Sequence, residues 1–163
     1  MLEARGEQPP KRKDGTPFIP DRRPATEDEE LGFEFFRTKC EGDYSALSIP
    51  RTFFGKSLIE QASFENSDLS ESVLCWNDFI DVNFSSASLQ NADLRRSLFD
   101  RCLFANADLR GADLRGSDFT DCGFAGAQFE GAVAERGADW LKALEPSQRA
   151  QLTEANSDGD DPG

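Results

Sequence analysis

The sequence predicts an all-β solenoid, a chain wound into a square coil, and three observations predict it. Stepping by five from Ile49 lands on Leu, Ile or Phe at seventeen consecutive positions, ending at Phe129. Two residues before each of these the side chain is small in fourteen of the seventeen cases, with Leu47, Asn77 and Val82 as the exceptions. Phe pairs then recur every twenty residues, at Phe79 with Phe84, Phe99 with Phe104 and Phe119 with Phe124.

A period of five suits neither a helix, which repeats near 3.6, nor a flat strand, which repeats at 2. A short extended piece can point the large and the small residue inward together, and a turn can follow. The large side chain then fills the centre and the small one fits beneath the wall. Twenty residues between like pairs means four pentads per turn. The expected core is Phe64, Leu69, Leu74, Phe79, Phe84, Leu89, Leu94, Phe99, Phe104, Leu109, Leu114, Phe119, Phe124 and Phe129. Like side chains stack in columns at strand spacing, which packs them without voids.

The flanks read differently. Residues 1–30 hold five prolines and end in Glu27-Asp28-Glu29-Glu30, the composition of a loosely attached arm. Residues 31–48 carry Leu31, Phe33, Phe35, Phe36 and Tyr44 and are expected to cap the first coil. Residues 49–132 are the coil, just over four turns. Residues 137–155 read as a helical segment broken near Pro146, with Trp140, Leu141 and Leu144 to cover the last coil. Residues 156–163 are an acidic tail.

The run Ala105-Asn106-Ala107-Asp108-Leu109-Arg110-Gly111-Ala112-Asp113-Leu114-Arg115-Gly116-Ser117-Asp118-Phe119 closely resembles the A-(D/N)-L-x-x consensus of the pentapeptide-repeat family. The resemblance covers about half the chain, residues 47–132. It implies a right-handed quadrilateral β-helix, here with an N-terminal cap segment and a C-terminal α-helical cap. The early repeats depart from the consensus, with Phe53, Leu58 and Val73 where Asp or Asn is usual.

Composition narrows the function. Acidic residues outnumber basic ones 31 to 18, a formal charge of −13, which opposes direct binding of nucleic acid or of an anionic membrane. No apolar run is long enough for a membrane helix, and the start lacks the apolar core of a secretory signal. Histidine is absent, which removes Ser-His and Cys-His nucleophile pairs. Cys40, Cys75, Cys102 and Cys122 form no C-x-x-C pair, so neither a metal nor another cofactor is expected, and a reducing cytoplasm is. The regular Asp residues fit repeat walls better than catalytic pairs or a calcium roll, whose glycine-rich nonapeptide is missing. The chain is therefore expected not to be an enzyme.

Function falls to the outer surface. Placed on four sides, one corner column reads Lys56, Trp76, Arg96, Gly116, and its neighbour reads Gly55, Cys75, Arg95, Arg115. Phe53 and Val73 lie one column away. Trp76, Lys56, Arg95, Arg96, Arg115, Phe53 and Val73 thus form an aromatic-plus-arginine patch of the kind found at binding hot spots; a covering segment is the alternative explanation of Trp76. The expected partner is a protein. An immunity or antidote role against a toxin comes first, because a small acidic rod can occlude a basic cleft. A DNA-mimicking protector or inhibitor of DNA gyrase or topoisomerase, of the quinolone-resistance type that the family resemblance implies, comes second. A structural part that uses its tails as ligands is third. A homodimer through the C-terminal helix would lengthen the rod.

Overall fold

The computed structural model describes residues 34–36 and 39–156. The expected N-terminal arm, and the acidic tail beyond Asn156, lie outside them. The chain is a β-solenoid of about six turns. Its strands are β1 (Glu34–Phe36), β2 (Lys39–Asp43), β3 (Phe53–Gly55), β4 (Leu58–Ser63), β5 (Asp78–Asn83), β6 (Leu98–Asp100), β7 (Asp118–Thr120), β8 (Val133–Glu135) and β9 (Thr153–Ala155). All their pairings are parallel. From β4 onward each residue pairs with the residue twenty further on, as Phe79 does with Phe99 and Phe99 with Phe119. Isolated bridges extend the same register along other sides, through Ser48, Asp68, Ser88, Asp108 and Gln128 and through Phe53, Val73, Asp93, Asp113 and Val133.

Each corner is made the same way. Every fifth residue from Ala46 to Gly131 has positive φ, mostly near 50–60° for the non-glycine residues. None of them is β-branched, in keeping with the crowding that a branched Cβ suffers there. The left-handed residue swings the chain into the next side. It also throws its own side chain outward, away from the lumen.

The fourteen expected core residues are all buried, and Phe119 at 7% is the most exposed of them. Within a coil, Phe79 and Phe84 meet edge to face with centroids 5.6 Å apart. Between coils, Phe79 stacks on Phe99 at 4.8 Å and Phe99 on Phe119 at 4.5 Å. Both geometries suit the aromatic quadrupole, so the lumen is filled by ordered tiers.

The column two residues before the core is a polar ladder as well as a packing allowance. Ser67 Oγ donates to the Tyr44 carbonyl at 2.7 Å, and Ser97 Oγ donates to the Leu74 carbonyl at 2.8 Å. Asn77, an exception to the small-residue rule, does the same work with an amide. Its Nδ2 donates to the Phe54 carbonyl at 2.7 Å, and its Oδ1 accepts from the Ser57 amide at 2.8 Å. Cys102 Sγ reaches the Phe79 carbonyl at 3.3 Å.

The solenoid is longer than the just over four turns expected. Residues 31–48 were expected to cap the coil, but the described part joins it. Strand β1 pairs with β3, and β2 pairs with β4. The register is offset by nineteen residues until a bulge between Cys40 and Gly42 restores twenty. That slip puts Cys40, not Lys39, beside Ile59, and the five-residue count breaks there. Tyr44 stacks on Phe64 at 5.3 Å and continues the aromatic column upward.

The C-terminal segment is also less helical than expected. It forms one 3-10 turn (Asp139–Ala143), a single α-helical turn α1 (Pro146–Arg149) and then β9, which returns to pair with β8. Trp140 plugs the lumen, 4.6 Å from Phe119 and 5.7 Å from Phe124. Gln148 Nε2 donates to the Phe124 and Ala127 carbonyls at 2.8 and 3.0 Å, tying this segment to the last coil. Leu141, Leu144 and Leu152 are buried too, so the segment covers the lower end of the coil.

Candidate surface site

The interior is packed, so the outer wall is what a partner can reach. Among the described residues three large apolar side chains are exposed: Val73 at 38%, Trp76 at 57% and Leu103 at 51%. Val73 and Trp76 share one side and lie three residues apart. Phe53, half-buried, pairs with Val73 in the coil above. The half-buried Cys75 sits between Val73 and Trp76, and burial is the largest influence raising its thiol pKa, which keeps it neutral and weakly polar.

Trp76 owes its exposure to the backbone. It occupies a left-handed corner with φ 61°, as do Lys56 at 51° and Arg96 at 56°. The three stand in one column, one coil apart, so neighbouring backbones are separated by about 4.8 Å. The Arg96 guanidinium carbon lies 5.4 Å from the Trp76 ring centroid, within cation–π range. Gly116 below makes room for it: a Cβ there would approach Arg96 Cγ to 3.0 Å. Lys56 is exposed, one coil above Trp76.

Arg95 and Arg115, expected in this patch, stand beside it with their charges paired within the chain. Each follows an Asp by two residues on the same outward face, and each closes onto it. Arg95 binds Asp93 with Nε to Oδ1 at 2.7 Å and a terminal nitrogen to Oδ2 at 2.6 Å. Arg115 binds Asp113 likewise at 2.9 and 2.6 Å. The hydrogen bonds that Arg95 donates to the Asp93 carboxylate push its pKa up further, so its charge is fixed. The Asp-Leu-Arg spelling predicts this pairing, since residues two apart along a strand share a face. Phe53, Val73, Trp76, Lys56 and Arg96 therefore remain as the candidate patch, and Arg95 and Arg115 form a paired ladder beside it.

No group of three or more Cys, Asp or Glu among the described residues is placed to hold a metal ion. No helix of the described residues is long and apolar enough to cross a membrane.

The family model for pentapeptide repeats matches residues 59–96 and 97–133, in eight copies. This chain is a pentapeptide-repeat protein. Solved pentapeptide-repeat proteins share its fold. One from the cyanobacterium Cyanothece is 24% identical, with 69% of this chain and 71% of that one covered and a TM-score of 0.51. Full-length QnrB1, a plasmid-mediated fluoroquinolone resistance protein, is 25% identical, with a TM-score of 0.52 over 61% of this chain. This chain spans 47% of the length of QnrB1. No curated protein matches the chain in sequence.

Proposed function

We propose that this pentapeptide-repeat protein is a noncatalytic module that binds another protein and blocks it, as an immunity or antidote protein blocks a toxin. One observation carries the reading. The lumen is filled by side chains, and the outer wall carries an exposed aromatic, Trp76, beside basic groups and apolar neighbours. Such a patch is the usual composition of an interface hot spot. The acidic remainder of the wall complements a basic cleft and raises encounter rates with one. All four cysteines are free, which suits the reducing cytoplasm of a bacterium, where we place the protein.

The test is capture of partners by the tagged full chain and by its Trp76→Ala, Arg96→Ala double variant, side by side from the source cytoplasm. One enzyme retained by the first, lost by the second and inhibited at about one-to-one stoichiometry is the expected result. Equal recovery of every protein by both overturns the patch.

A second reading, protection or inhibition of DNA gyrase or topoisomerase by DNA mimicry, is favoured by the similarity to QnrB1 and by the acidic walls. Titration into a gyrase supercoiling assay separates the two. An unchanged supercoiling rate at about micromolar protein, well above the Kd of a specific complex, eliminates this second reading.

A further inference from the structure

We propose that the Lys56–Trp76–Arg96 corner takes an acidic, extended segment of the partner protein, two carboxylates flanking one apolar side chain. This rests on the protein-binding reading and adds the partner's chemistry to it. The argument starts from the other cations. Arg95, Arg101, Arg110 and Arg115 are each held by Asp carboxylates at 2.6–3.0 Å. Lys39 pairs with Glu60, Arg51 with Glu71, Lys142 with Asp139 and Arg149 with Glu154. Arg136 bonds the Glu154 carbonyl and Asn156. Among the described residues, Lys56 and Arg96 alone of the basic side chains have neither a carboxylate nor a hydrogen-bond acceptor. In a chain of net charge −13, with acids to spare, both unpaired cations stand in one column on either side of Trp76, the most exposed aromatic of the described residues.

The spacing sets the ligand. Lys56 and Arg96 leave the backbone two coils apart, about 10 Å. An extended segment running down the corner rises about 3.3 Å per residue and presents every second side chain to one face. Acid, apolar and acid at i, i+2 and i+4 therefore span about 13 Å; Arg96 is held against Trp76, and the long Lys56 side chain covers the difference by reaching along the axis. The central apolar side chain rests on Trp76 and Val73. Stacking on Trp76 holds the Arg96 guanidinium in place while its N–H donors stay open, so little order is lost when a carboxylate arrives.

The probe is a fluorescein-labelled nonapeptide, Glu-Thr-Leu-Thr-Glu-Thr-Leu-Thr-Glu, with Gln-for-Glu and Lys-for-Glu versions as controls, titrated into the full chain at low salt by anisotropy. The acidic peptide is expected to bind about tenfold tighter than the Gln version, and high salt should erase the difference. Lys56→Glu with Arg96→Glu should lose that preference and turn it toward the Lys peptide. Trp76→Ala should weaken the acidic peptide about fivefold, and Arg110→Gln, remote from the corner, should leave it unchanged. Equal binding of the acidic and Gln peptides, or an unchanged preference in the charge-reversed variant, overturns the proposal. So does binding that emerges only after Glu27→Gln, Asp28→Asn, Glu29→Gln and Glu30→Gln together, since the occupant would then be the chain's own acidic run. If peptide selectivity fails while the Trp76→Ala, Arg96→Ala variant still loses its captured partner, the protein-binding reading stands without this ligand chemistry. If selectivity holds and capture is unaffected, the reverse is true.

Discussion

One side of the rod changes character halfway along its length. Its upper coils present Phe53 and Val73 with Trp76 at the corner, and its lower coils present Asp93, Arg95, Asp113 and Arg115. The backbone beneath is the same throughout, with the same register of twenty and the same left-handed corner. The core column is Phe54, Leu74, Leu94 and Leu114, all buried. The lower half satisfies its own charges, so its residues are already spoken for within the chain. The upper half leaves an aromatic in water and Lys56 without an acceptor, and Arg96, at the corner where the halves meet, stacks on that ring with no acceptor of its own. A solenoid wall thus separates stability, which the inward positions supply, from recognition, which the outward positions are free to encode.

The largest test of that separation is an inward charge. Phe84→Asp places a carboxylate where a 1%-exposed ring stacks between Phe64 and Phe104, at 5.6 and 5.1 Å. A buried, unpaired charge costs several kcal/mol, about the whole stability of a domain this size. We expect no cooperative melting transition by circular dichroism, and a soluble variant with an unchanged curve would refute the inward placement.

Opening the lower end comes next. Trp140→Ala unplugs the lumen beneath Phe119 and Phe124 and should cost about 3–5 kcal/mol, read as a lower denaturation midpoint. Asn77→Ala is smaller. It removes the side-chain bonds to the Ser57 amide and the Phe54 carbonyl inside the wall, at about 1–3 kcal/mol, whereas Asn77→Ser should recover part of that because serine holds the same position at Ser97.

The charged half of the wall should reveal itself in acid. The hydrogen bond from Arg110 holds the Asp108 carboxyl below the usual carboxylate range. A lowered pKa means that the pair stabilises the fold above the ordinary carboxylate pKa near 4, and that this contribution is lost as the pH falls through the folded-state value. Asp108→Asn should therefore lower the melting temperature at pH 7 and leave it nearly unchanged in acid below the folded-state pKa. An equal loss at both pH values would assign the effect to packing.

The smallest effect on stability belongs to the upper half. Trp76→Ala with Arg96→Ala should shift unfolding by no more than about 0.5 kcal/mol, since both side chains project into water. A larger destabilisation would show that the patch supports the fold, and the contrast between the two halves would collapse.

Much of this architecture can be read without coordinates. The five-residue spacing names every core residue from Ile49 to Phe129, because an unbroken period forces every equivalent side chain inward. The reading stopped at both ends, where the period itself stops. A one-residue bulge near Cys40 shifts Phe35 and Cys40 out of step with the count, although each pairs in the coil. At the other end Ala134 replaces a large core residue, and β9 returns only after an excursion through Trp140 and Gln148. The expectation of a longer helix rested on local spacing in 137–155, but the open lumen below Phe119 and Phe124 needs a ring and a carbonyl partner more than it needs helical turns.

The surface divides in the same way. Composition and column arithmetic brought Lys56, Trp76 and Arg96 together on one corner, and the Asp-Leu-Arg spelling already contained the pairing that removes Arg95 and Arg115 from it. Sequence alone determined the period, the identity of the core and the column in which each outward side chain stands, because all three follow from repetition along the chain. Only the tertiary structure decided how many turns exist, how the ends are sealed and which cations are left without an acceptor, because those depend on contacts between segments with no repeating relation.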